Sequence, residues 1–296
     1  MTNLFKTGLL FVVLSSFATA GNVISWVAPY FISQTKSNLN QDFGGVGMKD
    51  GLSHLALQFW VPYGPQARLA TKHGNITPTD IKFFTDWGDQ HGVKTLLCVY
   101  NGENGWDWNL AINSFVGNRS AFVQSLVSQV AQYNLDGVEI DLEGSGADNS
   151  QKANFLAFLS ELRTALPAEK DITVATFAYV WNAPNSSWWN DMLPYVDIIT
   201  SMGYEAIGKN AVGWASYATQ KTLLNDPSKL ALGMPTYKES WQGNTALEQL
   251  NWAENDGTVG VAIWDAALSN EGIPSAQWKS APIWNKLASV VEYRQH

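Results

Sequence analysis

Four carboxylates stand close together in the segment LDGVEIDLEG, residues 135–144: Asp136, Glu139, Asp141 and Glu143. Successive side chains of a β-strand point to opposite faces, so Glu139, Asp141 and Glu143 share one face, while the aliphatic residues between them share the other. Same-face neighbours on a strand are about 6.6 Å apart at the backbone, which lets their carboxyl groups approach hydrogen-bonding distance. The spacing therefore predicts a row of three acids along one face of a strand.

Buried carboxylates at this spacing cannot all be ionised, because each negative charge disfavours the next. They share a proton, which raises at least one pKa toward neutrality and provides a general acid at working pH. We predict that Glu143, the outermost acid, donates this proton to a substrate, and that Asp141 and Glu139 lie progressively deeper.

Two other interpretations of the acidic strand are a solvated or ion-paired strand end and a site for magnesium or calcium. The predicted strand ends offer mostly aromatic side chains instead of oxygen or histidine ligands, and the chain has only four histidines, without ligand spacing. We therefore predict no metal and no cofactor.

Apolar, β-rich runs recur along the chain, and most are followed by a segment with helical spacing. The predicted strands are residues 23–29, 54–61, 94–100, 136–142, 172–179, 196–202, 230–235 and 259–264. The predicted helices are residues 79–90, 119–134, 150–166, 187–193, 214–224, 245–254 and 282–293. No helix is predicted after the first strand.

Alternation of strand and helix implies parallel strands joined by right-handed crossovers, and eight such strands predict an α/β fold of the (β/α)8 TIM barrel type. An open doubly wound sheet is the alternative, but no Gly-x-Gly-x-x-Gly follows the first strand. No linker or repeat divides the chain. We predict one catalytic domain over residues 21–296 without an inserted α+β domain, and its active site at the carboxyl ends of the strands.

The first twenty residues, MTNLFKTGLLFVVLSSFATA, have a lysine near the start, an apolar run over residues 9–14 and a small-residue ending, Ala-Thr-Ala. These features predict a secretory signal peptide over residues 1–20. The alternative, a membrane-spanning helix, needs roughly 20 apolar residues, and two serines interrupt this run. We expect a secreted protein, extracellular or periplasmic.

The 296-residue chain has a formal net charge of -8, with 18 Lys and Arg against 26 Asp and Glu. This balance disfavours nucleic-acid binding, which requires a basic surface. The single cysteine, Cys98, excludes an intramolecular disulfide and a cysteine-based zinc site. We expect a monomer with no nucleic-acid or membrane partner.

The acidic strand resembles the signature of the family 18 glycoside hydrolases, Asp-Gly-x-Asp-x-Asp-x-Glu. Residues 136–143, DGVEIDLE, match it except at Glu139, where the family has Asp. Further similarities follow in chain order: Met-Gly-Tyr at residues 202–204, GMPTY at residues 233–237, and Trp264 at the end of the eighth predicted strand.

The resemblance implies a role for each acid. Glu143 would protonate the glycosidic oxygen and then activate water. Asp141 and Tyr204 would orient an acetamido group on the sugar, Glu139 would share a proton with Asp141, and Asp136 would be a structural member of the motif.

An ordinary retaining glycosidase sets its acid and its nucleophile on opposite sides of the sugar, about 5–5.5 Å apart. Asp141 and Glu143 instead stand side by side on one strand. This arrangement suits a substrate-assisted, retaining reaction, in which the carbonyl oxygen of an N-acetyl group attacks the anomeric carbon.

Sugar contacts are expected from side chains near the strand ends. The resemblance implies that Trp264 forms the floor of the pocket. The candidates are Phe59, Trp106, Trp181, Met202, Glu205, Tyr237 and Trp264, with Trp60, Trp108 and Trp241 as further stacking platforms. Two departures from the family pattern accompany them. Glu205 stands where many members have Asp, and residues 99–102 keep only the final glycine of Ser-x-Gly-Gly.

We predict a chitinase-type glycoside hydrolase that cleaves β-1,4 bonds next to N-acetylglucosamine in an oligosaccharide or polysaccharide, in a shallow, open groove. One alternative is an endo-β-N-acetylglucosaminidase acting on N-glycans, which would use the same residues. The other is a non-catalytic chitin-binding lectin or enzyme inhibitor on the same fold.

Overall fold

A computed structural model shows a closed barrel of eight parallel strands. It describes residues 21–71, 76–102, 105–145, 149–204, 216–238, 240–241, 243–270, 273–274 and 276–292, so the predicted signal peptide lies outside it. The barrel strands are β1 (Val23–Val27), β2 (His54–Tyr63), β3 (Lys94–Tyr100), β4 (Gly137–Asp141), β5 (Asp171–Thr176), β6 (Ile198–Ser201), β7 (Leu230–Pro235) and β8 (Gly260–Trp264). Strand β1 pairs in parallel with both β2 and β8, which closes the sheet. The eight predicted strands and the TIM barrel are confirmed.

Helices on the outside of the barrel connect most successive strands. In the described residues these are α1 (Ile32–Leu39), α2 (Met48–Gly51), α3 (Pro78–His91), α4 (Trp108–Ile112), α5 (Arg119–Tyr133), α6 (Lys152–Ala165), α7 (Trp189–Met192), α8 (Tyr217–Thr222), α9 (Ala246–Asp256) and α10 (Ala281–Glu292). A π-helix, Asn113–Gly117, joins α4 to α5, and 3-10 turns lie at Asn149–Gln151, Ser186–Trp188 and Pro227–Lys229. Each of the seven predicted helical segments overlaps one of these helices.

The expectation that no helix follows the first strand is wrong. Helix α1 lies there, and its buried residues are Thr35, Asn38 and Leu39. Because two of these three are polar, the segment lacks the apolar periodicity that marks most helices. Asn38 is buried because its amide donates to the backbone oxygens of Ala266 and Ala267, at 3.2 and 2.7 Å.

Local sequence signals fix where several helices start. Thr77 and Asp80 form a capping box at the start of α3, with the Thr77 hydroxyl accepting from the Asp80 N–H and the Asp80 carboxylate accepting from the Thr77 N–H. Thr245 and Glu248 form the same arrangement at the start of α9. Each box satisfies backbone donors that the first helical turn leaves unpaired.

The strands alternate between two apolar layers. On β4, Val138 and Ile140 pack in the large cluster between the sheet and the helices, while Glu139 and Asp141 lie on the other, inner face. Gly137 begins this strand because a Cβ there would stand 2.1 Å from the backbone oxygen of Asp171 on β5. The Asp-Gly of the motif is therefore explained by close strand pairing, and the acids after it are directed into the barrel.

Short antiparallel pairs accompany the barrel. Strand β2 continues into a hairpin with Arg68–Thr71. The other pairs are Gly144–Ser145 with Asn182–Ala183, Ser240–Trp241 with Asn244–Thr245, and Ser269–Asn270 with Ile273–Pro274. The hairpin on β2 and the Gly144 pair extend from carboxyl ends of barrel strands. Among the described residues, no helix is long and apolar enough to cross a membrane.

Candidate active site

The candidate site is a cavity of about 240 Å³ at the carboxyl ends of the strands. Its walls come from β1, β2, the segment after β3, β4 and its end, β6 and its end, and β8. The lining residues are Trp26, Gln58, Trp106, Asp141, Glu143, Met202, Tyr204 and Trp264. This is the end of the barrel where the sequence predicts chemistry.

The three acids of β4 form a gradient of burial. Glu139 has no exposed surface, Asp141 is 2% exposed, and Glu143 is half-buried at the cavity. The order matches the predicted one, with Glu143 outermost. Of the two acids on the cavity wall, Glu143 is the more exposed, which suits a group that exchanges a proton with a ligand.

Glu139 is held in an environment that favours its protonated form. Burial raises its pKa well above the usual value, and the negative charge of Asp141 raises it further. The Thr200 hydroxyl, which donates to Oε1 at 2.9 Å, offsets part of this shift, and the nearby Trp26 indole offsets a smaller part. Within the described residues, neither Oε2 of Glu139 nor the indole N–H of Trp26 has a partner at hydrogen-bonding geometry. Glu139 is therefore the acid beneath the site whose surroundings favour its protonated form.

Asp141 is oriented by a neutral donor on β2. The amide of Gln58 donates to Oδ2 of Asp141 at 2.8 Å, and Gln58 is itself 2% exposed. The sequence prediction missed Gln58, although one signal was available. It lies two residues after Ala56, an inward residue of β2, and so in the inward register.

The backbone of Glu143 is held by a second carboxamide, Asn101, which is 1% exposed and follows β3. The Glu143 N–H donates to Oδ1 of Asn101 at 2.8 Å, and Nδ2 of Asn101 donates to the Glu143 backbone oxygen at 2.8 Å. The sequence prediction missed this residue as well. Asn101 lies in the segment that departs from the family's Ser-x-Gly-Gly.

Cys98 lies inside the barrel beside the acids. Burial raises the pKa of its thiol, and the charges of Asp141, Glu139 and Glu143 raise it further. The thiol is therefore protonated and behaves as a small apolar group.

Two titratable groups on β-strand ends add to the electrostatics of the site. Burial raises the pKa of Asp265, next to Trp264, to about 6, although the Ala267 N–H donates to it at 2.8 Å. Burial, followed by the charges of Asp265 and Asp141, raises the pKa of Tyr30 to about 12. The Tyr30 hydroxyl therefore stays protonated near two acids, a position that the sequence did not predict.

Several predicted sugar contacts surround the acids. Trp106, Met202, Tyr204 and Trp264 line the cavity, and the Tyr237 ring meets Tyr204 edge-on at 6.4 Å between centroids. Trp26, which the sequence prediction omitted, packs against Trp264 at 5.9 Å and also lines the cavity. Two tryptophans, from β1 and β8, thus form an apolar corner of the cavity.

Other predicted contacts lie elsewhere or are not described. Trp181 stacks on Tyr179, with centroids 3.8 Å apart, and is not one of the lining residues. Glu205 and the side chain of Trp241 lie outside the described residues.

The predicted sugar contacts of Phe59 and Trp60 are wrong, because both side chains are fully buried in the layer between the sheet and the helices. The Phe59 ring packs against Phe84 of α3, and the Trp60 indole donates to Gln129 of α5 at 2.9 Å. A register shift between Gln58 and Trp60 interrupts the strict alternation of β2, so both aromatics face the helices.

Trp108 and Asp136 have structural surroundings. Trp108 is partly buried and packs against Phe115 of the π-helix rather than lining the cavity. Asp136 precedes β4 at the opposite end of the barrel, where its carboxylate accepts from the Thr95 N–H at 2.8 Å and lies 3.7 Å from Lys170. This placement agrees with the structural role that the resemblance implies for Asp136.

Within the part of the chain that the structure describes, no group of three His, Cys, Asp or Glu side chains is arranged to hold a metal ion. Both inner acids accept from a neutral donor: an amide for Asp141 and a hydroxyl for Glu139. The arrangement can supply and accept protons and can bind an apolar ring face.

The model of the glycosyl hydrolases family 18 matches residues 27–294. The chain belongs to this family. Endochitinase 1 of Metarhizium robertsii, a relative, is 27% identical over an alignment of 209 residues that covers 58% of this chain and 47% of that protein. The chain spans less than two thirds of the length of the curated relatives that it matches, 59% in one case and 7% in another.

Solved structures share the family 18 barrel. A chitinase from Bacteroides thetaiotaomicron superposes with a TM-score of 0.67 at 18% identity, covering 94% of this chain and 98% of that one. A family 18 chitinase from Cycas revoluta in complex with (GlcNAc)3 superposes with a TM-score of 0.64 at 14% identity, covering 91% and 99%. At these identities the likeness shows the fold.

Proposed function

We propose that this family 18 protein is a chitinase-type glycoside hydrolase that cleaves β-1,4 bonds of N-acetylglucosamine oligosaccharides or polysaccharides with retention of configuration. One observation carries the proposal. The acids among the described residues that line the cavity are Asp141 and Glu143, which both belong to β4 and its end. A sugar above them meets no described carboxylate on its other side, so the nucleophile is expected from the substrate itself.

The reaction begins with proton transfer from Glu143 to the glycosidic oxygen. The bond between the anomeric carbon and that oxygen breaks, and the acetamido carbonyl oxygen of the same sugar forms a bond to the anomeric carbon. Glu143, now a carboxylate, removes a proton from water. The resulting hydroxide attacks the anomeric carbon and breaks the bond that the acetamido oxygen had formed to it. Two successive displacements give net retention.

Asp141 and Tyr204 orient the acetamido group during this attack. Gln58 fixes Asp141, which accepts a hydrogen bond from the acetamido N–H. This bond stabilises the positive charge that develops on the acetamido group as its oxygen bonds the anomeric carbon. The Tyr204 hydroxyl donates to the acetamido oxygen. Both side chains line the cavity.

Glu139 stabilises the negative form of Asp141. Its raised pKa favours the protonated form beneath Asp141, which lessens the repulsion that an ionised neighbour would exert on the Asp141 carboxylate. This is the division of roles expected for closely spaced carboxylates.

The aromatic corner of Trp26 and Trp264 supplies an apolar surface for the face of the reacting sugar. The cavity of about 240 Å³ is smaller than typical pockets for drug-sized ligands, roughly 300–1,000 Å³. It suits one sugar ring, with the rest of an oligosaccharide lying outside it. The complex of the Cycas revoluta relative with (GlcNAc)3 supports this substrate class.

We also propose that the protein is exported and acts as a monomer. The support for export is the predicted signal peptide at residues 1–20. A mature protein beginning at Gly21, recovered outside the cytoplasm, is the expected observation. Mass spectrometry of the protein from each compartment tests it.

Hydrolysis of N-acetylglucosamine oligomers tests the proposed reaction. Wild-type protein is expected to release oligomers whose new reducing ends are initially β, observed by NMR before mutarotation. Oligomers deacetylated at the cleaved residue are expected to resist cleavage. Equal cleavage of deacetylated oligomers, or an initially α product, would contradict the substrate-assisted reaction.

A glycoprotein substrate separates the two hydrolase candidates, because both use the same acids. Release of intact N-glycans without cleavage of chitin oligomers would assign an endo-β-N-acetylglucosaminidase. Tight oligomer binding without turnover of either substrate would assign a lectin or inhibitor.

A further inference from the structure

Asn101 connects two walls of the cavity through one buried side chain. Its carboxamide pairs with the backbone N–H and oxygen of Glu143, and its Nδ2 also donates to the backbone oxygen of Asp107 at 3.1 Å. These three hydrogen bonds join the end of β4 to the segment after β3. Within the described residues, this amide is therefore shared between the proposed acid and a neighbouring loop.

The segment that Asn101 holds carries Trp106, which is 40% exposed and lines the cavity. The next residue, Asp107, caps helix α4 by accepting from the N–H groups of Asn109 and Leu110, at 2.9 and 3.4 Å. The position of the Asp107 backbone therefore fixes both the start of α4 and the residue before it.

Trp106 also packs directly against the residues that flank Asn101. Its ring meets Tyr100 at 6.4 Å between centroids, and a Cβ on Gly102 would stand 2.7 Å from the ring. Gly102 leaves the space that the indole fills. Tyr100 and Gly102 thus contact Trp106 directly, while Asn101 holds the backbone of the residue after it.

We propose that Asn101 is a positioning residue that sets the acid Glu143 and the aromatic wall Trp106 at a fixed separation. The inference rests on the proposed function for its effect on turnover. Its effect on oligosaccharide binding, through Trp106, does not depend on catalysis.

A carboxamide is the group that this position requires. It must accept from the Glu143 N–H and donate to two backbone oxygens, and Asn has both an acceptor and two donors. An ionised Asp has no donor and would place a negative charge against two carbonyl oxygens. A serine hydroxyl is too short and has a single donor.

The test compares N101A and N101D with G102A and N185A. N101A is expected to lower kcat about 100-fold, because a misplacement of about 1 Å at a reacting group has a cost of this size. It is also expected to weaken the binding of a chitin oligomer, measured by calorimetry, since Trp106 loses its anchor. G102A is expected to weaken oligomer binding, because its Cβ displaces Trp106, and to lower kcat less than N101A does, because it leaves the Asn101 pairing with Glu143.

N185A is the matched control for a lost buried amide. Asn185 is fully buried, donates to the Asn182 backbone oxygen at 2.7 Å and accepts from the Ser187 N–H at 3.0 Å, and neither bond involves an acid of β4. We expect it to lower Tm about as much as N101A, with kcat and oligomer affinity near wild type.

N101D provides a pH signature that simple destabilisation would not give. The introduced carboxyl has no donor when ionised and gains one when protonated. The ratio of variant to wild-type kcat is therefore expected to rise as pH falls. This variant also decides the question if N101A fails to fold.

Three results would overturn the inference: kcat of N101A within about 3-fold of wild type, an equal loss of kcat in N185A, or a pH-independent ratio for N101D. If the wild-type protein binds oligomers but turns none over, the proposed function fails separately. The affinities then decide the role of Asn101, and unchanged binding by N101A would overturn it.

Discussion

The two ends of the barrel hold carboxylates in opposite environments. At the amino ends of the strands, Asp171 accepts from His54 at 3.0 Å and from Lys94 at 2.6 Å. At the carboxyl ends, Glu139 and Asp141 have neutral partners, and none of the described groups that shift the Glu139 pKa is a cation. Cations hold the carboxylate of Asp171 at one end, whereas a hydroxyl holds that of Glu139 at the other.

This difference in partners produces opposite pKa shifts. Burial raises the pKa of both Asp171 and Glu139. For Asp171 the hydrogen bonds and charges of His54 and Lys94 outweigh burial, so its pKa is lowered. For Glu139 the hydrogen bond from the Thr200 hydroxyl does not outweigh burial, so the Glu139 pKa is raised. A compensated acid stabilises the fold, whereas an uncompensated acid can store a proton for chemistry.

The largest expected effect is that of E143Q, at the carboxyl end. Gln keeps the shape of Glu143 but has no proton to donate to a leaving group, so turnover should fall by about 10³-fold, within the usual contribution of general acid catalysis. Oligomer binding and Tm should change little, because Glu143 is half-buried and its backbone pairing with Asn101 remains. Initial rates, calorimetry and thermal unfolding measure the three quantities. Unchanged turnover would remove Glu143 from the reaction.

D171N, at the amino end, should show the converse pattern. Removing the charge weakens the bonds to His54 and Lys94 and leaves two cationic or polar groups poorly paired, at a cost of about 1–3 kcal/mol in the free energy of unfolding. Because Asp171 lies at the opposite end of the barrel from the cavity, kcat should stay within about 2-fold. Urea unfolding and initial rates on the same preparation check both parts. A large loss of kcat with unchanged stability would contradict the division between the two ends.

The pH dependence of stability should have opposite signs at the two ends. For Asp171, the lowered pKa gives stability that is present above the unfolded pKa, about 3.9, and is lost as pH falls through the folded pKa. For Glu139, the raised pKa does not lower the free energy of unfolding at pH values below the unfolded pKa, about 4.3. Above it, the unfolded state alone ionises, and stability is lost by up to about 1.4 kcal/mol per pH unit.

E139Q and D171N separate the contributions of Glu139 and Asp171 to the pH dependence of stability. Relative to wild type, E139Q should gain stability as pH rises above about 4, while D171N should lose relative stability as pH rises through the range below about 4. Urea unfolding at each pH measures both differences. Curves for E139Q that run parallel to wild type would mean that Glu139 has the same pKa in the folded and unfolded states.

The barrel and its acidic row could be predicted from the sequence because both depend on short-range periodicity. Alternation along residues 136–143 directs Glu139 and Asp141 to one face whatever the partner strands are. The helix α1 was missed for the same reason. Its buried positions, Thr35 and Asn38, are polar and leave no periodic apolar signal.

The supporting residues of the site could not be predicted in this way. Gln58 lies 83 positions from Asp141, and Asn101 lies 42 positions from Glu143, so each contact is created only when the barrel closes. A neutral amide also has no sequence pattern that distinguishes a buried donor from a surface residue. The prediction for Phe59 was wrong for a further reason. The register shift in β2 follows from strand pairing and not from the residue types.

The smallest expected effect concerns Gln58, the neutral partner that distinguishes the carboxyl end from the amino end. Q58L removes the donor to Asp141 and keeps a similar volume, so kcat should fall about 10-fold, the value of one hydrogen bond to a charged group. T95V is the matched control at the amino end. It removes the hydroxyl that bonds the Phe84 oxygen at 3.4 Å and should leave kcat near wild type.

Q58E then tests the charge environment itself. A fourth carboxylate beside Asp141 disfavours ionisation of the neighbouring acids, so both limbs of the pH profile of kcat should move to higher pH. A cation in place of Gln58, as in Q58K, should move them to lower pH and make the carboxyl end resemble the Asp171 cluster. If neither variant moves the profile, the acids of β4 do not sense their partner on β2. The contrast between the two ends would then rest on burial alone.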